Sequence, residues 1–429
     1  MRIIHTNTPA FETLFHRIMG RGKVFDEKIL SVVKGIVEDV AARKDKALFE
    51  YTKKFDGCTL NGRTVAVSSE EMEQALRRIS KADLAILKTA AKRIEKFHRK
   101  QKMHGWSYLD EDGVELAQRI LPMDRVGIYA PGGLACYPST VIMAAVPAKI
   151  AGVRDIILVT PPSPGGVISP LVTAAASLSG VTQIFKIGGA QAIAALAYGT
   201  ESIPPVDKVV GPGNAYVAAA KKMVYGRVAI DMIAGPSEIV VIADKTARAE
   251  HVAADLLSQA EHDEMASAIL LTPNEELAKN VLLEIKIQLK TLRRKAIASR
   301  SLKIFGMIVV TRNVNEAVQI ANRFAPEHLE LMIKNPKAIL DKIRHAGSIF
   351  LGYSTPETMG DYMAGPNHIL PTGGTARFSS PLGVYDFVKR SSVLCFSDKA
   401  LRKFGSQAAH FAEMEGLQAH GRSVTIRLK

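Results

Sequence analysis

Four short stretches of the 429-residue sequence carry side chains able to do acid–base or metal chemistry. Ser258-Gln259-Ala-Glu261-His262 closes an Ala/Leu-rich segment, and Gln259 and His262, three residues apart, share one helix face. Such a pair could grip one ion, although a carbonyl-type oxygen binds zinc less well than thiolate or imidazole. A polar helix end, with His262 beside the C-terminal dipole, is the simpler reading of the spacing. Pro326-Glu327-His328-Leu329 sets a carboxylate beside an imidazole just before an apolar run. In extended chain the two point to opposite sides. At a strand mouth they can converge, His328 as a base titrating near neutrality and Glu327 orienting it or activating water. Gly360-Asp361-Tyr362 and Gly365-Pro-Asn-His368 lie in a long polar loop, a common place for function. In the tail, Glu415 and His420 stand five residues apart. Taken singly, each of these is equally at home on a surface.

Glycine turns form a second group. Pro131-Gly-Gly133, Gly188-Gly189 and Gly211-Pro-Gly213-Asn214 each follow a β-type run and precede a helical one. Helix N-termini there can meet an anion such as a pyrophosphate. The dinucleotide fingerprint is absent, because position 216 is Tyr216 where Gly or Ala is required.

The elements that must position these residues follow from periodicity. The first ~125 residues read as mostly helical: Leu84, Leu87, Ala91, Ile94 and Phe97 recur at helical spacing, with Lys88, Lys92, Lys96 and Lys100 on another face. After Pro122, short β-branched runs alternate with Ala-rich helical ones. Strands are expected at 125–129, 155–160, 183–187 and 208–210, then at 238–242, 268–271, 307–310, 328–333 and 348–351. Helices are expected between them, including 275–292 and 336–345. Parallel strands joined by helices are the economical solution, so two α/β units follow. A Gly/Pro-rich stretch to about 383 and a mainly helical tail complete the chain.

Composition excludes other classes. The sequence is 47% apolar and 23% charged, enough to form a core. No stretch approaches the ~20 apolar residues of a membrane span, and no secretory signal is read at the N-terminus. Cys58, Cys136 and Cys395 are odd in number and widely spaced, which fits a reducing cytoplasm rather than a disulfide framework. The net charge of +14 raises a nucleic-acid reading, yet no nucleic-acid-binding signature accompanies it. Most of the excess sits in 77–102 and 286–303, which read as solvated helix faces. No HExxH pattern supports a zinc hydrolase.

From about Ile36 onward the sequence resembles the histidinol dehydrogenase family. The resemblance rests on Gly127-Ile-Tyr-Ala-Pro-Gly-Gly133, Gly188-Gly-Ala-Gln-Ala-Ile-Ala-Ala-Leu-Ala197, Gly211-Pro-Gly-Asn-Ala215, Ala234-Gly-Pro-Ser-Glu238, Asp255-Leu-Leu-Ser-Gln-Ala-Glu-His262, Pro326-Glu-His328 and Gly365-Pro-Asn-His368. It implies zinc- and NAD-dependent oxidation of L-histidinol to L-histidine through L-histidinal, in a cytoplasmic homodimer with shared active sites and neither a nucleic-acid nor a membrane partner. A related dehydrogenase of another amino alcohol or polyol is the alternative. The implied zinc ligands are Gln259, His262, Asp361 and His420. The implied substrate contacts are Ser237, Gln259, His262, His328, Asp361, Glu415 and His420, and Tyr129, Gln191 and Asn214 would contact NAD. Glu327 and His328 would be catalytic, His328 as base in both oxidations and Glu327 activating the hydrating water. A thiol route through Cys136 or Cys395 is disfavoured. The implied fold is α/β, with two Rossmann-like domains of parallel-rich sheets. The first is discontinuous (25–128 and 237–382) and the second, at 129–236, contacts NAD. A helical N-terminal segment (1–24) and a small C-terminal tail domain (383–429) that completes the partner's site would flank them.

Overall fold

The structure, a computed structural model, describes residues 1–21, 26–132 and 136–429. Gly133 of the first glycine turn and the expected boundary at 24/25 lie outside the described residues. Two parallel sheets form the body. The larger has six strands in the order Arg2–His5, Met307–Val310, Ser267–Thr272, Glu238–Ala243, His328–Met332 and Ser348–Leu351. Its central strands are buried along their whole length, as parallel strands covered on both faces must be. Alternate residues serve opposite faces: Ile239, Val241 and Leu270 pack with helices Ala249–Ala260, Glu275–Gln288 and Lys295–Phe305. Val240, Ile242 and Leu271 pack with helices Pro9–Gly20 and Val314–Phe324.

The second sheet has five parallel strands in the order Gln183–Phe185, Asp155–Val159, Arg125–Tyr129, Lys208–Val210 and Ala229–Ile230. Helices Glu27–Arg43, Gly189–Tyr198 and Ala215–Val224 cover one face, and Pro138–Ala151, Pro170–Ser179 and Lys81–His98 the other. A third, antiparallel sheet joins Trp106–Leu109, Val114–Pro122 and Val388–Phe396, with Ser391 opposite Arg119.

Several expectations change. The segment expected as helical at 1–24 opens with an edge strand, Arg2–His5, paired with Met307–Val310. The helices of 27–98, expected with the 237–382 unit, instead cover the five-stranded sheet, and 1–21 packs on the six-stranded one. An apolar stripe is non-directional, so it states that a face is buried but not which sheet buries it. The expected boundary at 129 also falls at the end of the five-stranded sheet's middle strand. The antiparallel sheet is not legible locally, because Val114–Pro122 pairs with Val388–Phe396 more than 260 positions away and the latter strand exposes all but its first side chain. The helix expected to reach 292 ends at Gln288, and 336–342 is a 3-10 turn. Phe97 is 41% exposed, and His98 takes the expected apolar place, its Nδ1 2.9 Å from the Ile94 carbonyl. Lys88, Lys92, Lys96 and Lys100 are exposed, as a solvated face requires.

Candidate active site

Glu238 and His328 open adjacent strands, so their side chains gather at the amino edge of the six-stranded sheet. Glu238 is the hub. Its N–H donates to Glu327 Oε2 (2.9 Å), and its carbonyl lies 3.2 Å from His328 Nδ1. A carbonyl only accepts, so Nδ1 carries the proton and Nε2 keeps the basic lone pair. The Glu238 carboxylate is held by Arg21 Nη2 (2.7 Å) and by the Gly373 N–H (2.8 Å). Arg21 also donates to the carbonyls of Ile18 and Met265, both at 3.1 Å.

His328 Nε2 is buried with no hydrogen-bond partner and lies 3.8 Å from Asp361 Oδ1. Burial pushes the imidazole down to about 3, with His262 and His368 adding to the effect against the Glu238 carbonyl. The ring is therefore neutral near pH 7. Glu357 Oε1 and Glu327 Oε2 lie 3.5 and 3.8 Å from Nδ1, so Glu327 and His328 do converge at the strand mouth. Behind them Glu330, on the same strand face as His328, accepts from the Glu357 N–H at 2.7 Å and lies close enough to Asp255 for the two carboxyl groups to act on each other. Burial holds Glu327, Glu330 and Glu357 well above the usual carboxylate range, with carboxylate repulsion adding to it. Burial also raises Asp255 and Asp361 to about 6.

Ligand atoms of His328, Glu357 and Asp361 all lie within 4.8 Å of one another, a grouping that could hold a metal ion. Only Asp361 belongs to the metal set implied by the resemblance. Of the others, Gln259 is fully buried with both amide atoms unpartnered. His262, exposed at the helix end, is close enough for its charge to act on both His328 and Asp361. Ser237 is half-buried next to Glu238. Glu415 and His420 are exposed on the tail, whose helices Asp398–Met414 and Gln418–Thr425 pack on each other; among the described residues no hydrogen bond or ion pair ties these two side chains to the cluster. His368 is half-buried with Nδ1 3.0 Å from the Asp361 carbonyl, so it braces the loop that presents Asp361. Cys136 and Cys395 are exposed and Cys58 is buried, all as free thiols.

At the carboxyl edge of the five-stranded sheet, Tyr129 ends its strand and its hydroxyl accepts from the Gly189 N–H at 3.2 Å. Burial raises this phenol to about 12. Gln191 is buried with both amide atoms unpartnered. Asn214 Oδ1 caps the following helix by accepting from the N–H groups of Tyr216 and Val217, both at 3.1 Å, which leaves its NH₂ facing outward from the cap.

Residue reasoning missed Arg21, Glu330 and Glu357, and left Glu238 and Asp255 inside motifs without a role. Glu330 did carry a signal, a carboxylate inside the apolar run His328-Leu-Glu-Leu-Met332.

Two parallel sheets, one carrying a buried imidazole–carboxylate cluster and the other glycine turns and the unpartnered Gln191 amide, define a two-unit α/β protein whose titratable cluster and glycine turns sit on different sheets. The family model for histidinol dehydrogenase matches residues 19–428, and the chain belongs to that family. It is 54% identical over 429 residues to the histidinol dehydrogenase of Syntrophotalea carbinolica, covering 100% of this chain and 99% of that protein. It is 52% identical to that of Geobacter sulfurreducens, with 100% of both chains covered. The crystal structure of histidinol dehydrogenase from Elizabethkingia anophelis superposes with a TM-score of 0.93 at 41% identity, covering 100% of this chain and 97% of that one. The chain is thus an oxidoreductase of histidine biosynthesis, in a family that depends on zinc and NAD.

Proposed function

We propose that this chain oxidises L-histidinol to L-histidine through enzyme-held L-histidinal, with His328 as the base in both oxidations. The observation that carries this is the His328 ring: neutral, fixed as the Nδ1–H tautomer by the Glu238 carbonyl, with a buried and unpartnered Nε2. Nε2 takes the alcohol proton in the first oxidation and the hydrate proton in the second. Glu327, 3.8 Å from the ring, takes a proton from the water that adds to the aldehyde. Burial of this cluster keeps the reactive amino aldehyde away from bulk water.

The residues present fit both implied groups. The buried, unpartnered amide of Gln259 is what a ligand oxygen looks like without its ion, and Asp361 and His262 bring the oxygen and nitrogen donors that zinc accepts. Gln259, His262, Asp361 and a partner's His420 would hold the metal, and Ser237 and Glu415 would join these residues and His328 around the substrate. Tyr129, Gln191 and Asn214 would contact NAD, with Gln191 again an orphaned amide awaiting a partner. When bound, zinc supplies a Lewis-acid anchor that orients the substrate, and NAD⁺ supplies the hydride acceptor.

The dimer reading has its own support. Trp106, Leu109, Leu394, Phe411 and Met414 are each at least 52% exposed on the antiparallel sheet and tail, an apolar surface that a second copy would cover. No described helix is long and apolar enough to cross a membrane, and the three free thiols fit a cytoplasmic enzyme.

The test is NADH formation from L-histidinol with and without a zinc chelator. Two NADH per histidinol, lost on chelation and regained with zinc, are expected. A single NADH per substrate, or faster turnover of a simple diol or another amino alcohol, would overturn the assignment.

A further inference from the structure

We propose that the buried Lys221–Asp231 pair is a positioning device for the cofactor, holding the Gly211 turn in the shape that dinucleotide binding needs. The inference rests on the reading of Tyr129, Gln191 and Asn214 as NAD contacts. Lys221 and Asp231 come from different elements, the helix Ala215–Val224 and the segment after strand Ala229–Ile230, and their side chains are only 3% and 1% exposed. They pair with each other and also grip one residue from both sides. Asp231 Oδ2 accepts from the Gly211 N–H at 2.8 Å, and Lys221 Nζ donates to the Gly211 carbonyl at 2.9 Å. Asp231 Oδ1 additionally accepts from the Met232 N–H at 2.6 Å.

Gly211 is where the chain turns from strand Lys208–Val210 towards the Asn214 cap. Its φ is +110°, and a Cβ there would stand 2.1 Å from the Tyr129 carbonyl oxygen. Gly211 therefore sets the spacing between two of the proposed NAD contacts, Tyr129 on one side and Asn214 on the other. A buried ion pair is a poor way to gain stability, since an apolar pair of similar volume commonly does as well or better. An apolar pair could not hold both the N–H and the C=O of Gly211, which belong to the two peptide groups flanking its Cα. What the charged pair adds is the fixed backbone of the turn. Lys221 and Asp231 are positioning residues in this scheme, with no contact to the reacting atoms.

The experiment compares Lys221→Met, Asp231→Asn and the double variant Lys221→Met/Asp231→Leu with the parent enzyme, each zinc-loaded. The readouts are KM for NAD⁺, KM for L-histidinol, zinc content and thermal midpoint. Each variant is expected to raise KM for NAD⁺ by about tenfold, the scale of one lost hydrogen bond to a charged group. KM for histidinol and zinc content should stay within about twofold, since the pair lies on the other sheet from the acid–base cluster. The double variant separates positioning from stability: its thermal midpoint should return towards the parent's while KM for NAD⁺ stays high. A double variant with the parent's KM for NAD⁺, or equal rises in both KM values, would overturn the proposal. Gln191→Ala and Asn214→Ala are run beside them. If these leave KM for NAD⁺ unchanged, the reading of this edge as the cofactor site fails, and the proposal with it. If they raise it while the Lys221 and Asp231 variants do not, the positioning role alone fails.

Discussion

Replacing Arg21 by Met should cost about 3–5 kcal/mol of stability, the usual consequence of breaking a buried ion pair by removing one partner. Arg21 and Glu238 have side chains 2% and 5% exposed, so little water screens them. Methionine retains most of the aliphatic stem, and what disappears is the guanidinium that lies over the Phe305 ring and donates to Glu238, Ile18 and Met265. Glu238 is left with the Gly373 N–H as its side-chain partner. A buried carboxylate so exposed to its own desolvation must take up a proton or drag water inward. The assay is urea unfolding of the parent, Arg21→Met, Glu238→Leu and the double variant, at equal protein and zinc concentrations. The double variant, with apolar volume in place of both charges, should recover much of the loss, giving a coupling of at least ~2 kcal/mol. The peptide groups of Glu238 hold Glu327 and His328, so turnover should fall in both single variants. An Arg21→Met loss below ~1 kcal/mol, or additive single effects, would refute the claim that this pair anchors the strand end.

Other outcomes follow from the same geometry. His328→Asn should leave zinc content near the parent's and lower turnover by about 10²–10⁴-fold, the range of general-base catalysis; loss of zinc from a folded variant would contradict that division of roles. In zinc-free protein, Gln259→Leu should raise stability by about 1–3 kcal/mol, because it removes a buried amide with no partner, while zinc binding is lost; a less stable zinc-free variant would show that the amide is satisfied in solution. Mixing His420→Asn with Gln259→Leu chains should restore part of the activity in heterodimers, and no recovery after verified subunit exchange would rule out a tail that completes the partner's site. Asp56 is raised to about 6 by burial, so the folded protein binds its proton more tightly than the unfolded chain does. Stability from this group is present below the unfolded carboxylate range and is lost as pH rises to about 6. Asp56→Asn should therefore stabilise the protein at pH 8 more than at pH 4, by about 1 kcal/mol after allowance for its partial exposure; an equal effect at both pH values would count against burial as the cause.

How far the sequence reached is clearest at particular residues. The Val- and Ile-rich runs 238–242, 307–310 and 155–160 read as buried parallel strands because a strand covered on both faces has to be apolar throughout. The pairing of Glu327 with His328 was visible because the two are neighbours in the chain. The strand Val388–Phe396 and its partner Val114–Pro122 were not, since nothing local marks a register between segments so far apart. Nothing local in the sequence marks Arg21, yet it is the cation under the candidate active site.

Residue types and local periodicity determined the α/β class, the positions of most strands and the motifs that mark the histidinol dehydrogenase family. Those properties are set by side chains within a few residues of one another, and one strand or one turn expresses them fully. The tertiary structure alone decided which sheet each amphipathic helix covers, that Glu238 fixes the tautomer of His328, and that Lys221 and Asp231 meet around Gly211. Each of these depends on burial and on distances between residues remote in the chain. A buried carboxylate, imidazole or amide takes its role from the partners that desolvation forces it to find or to lack.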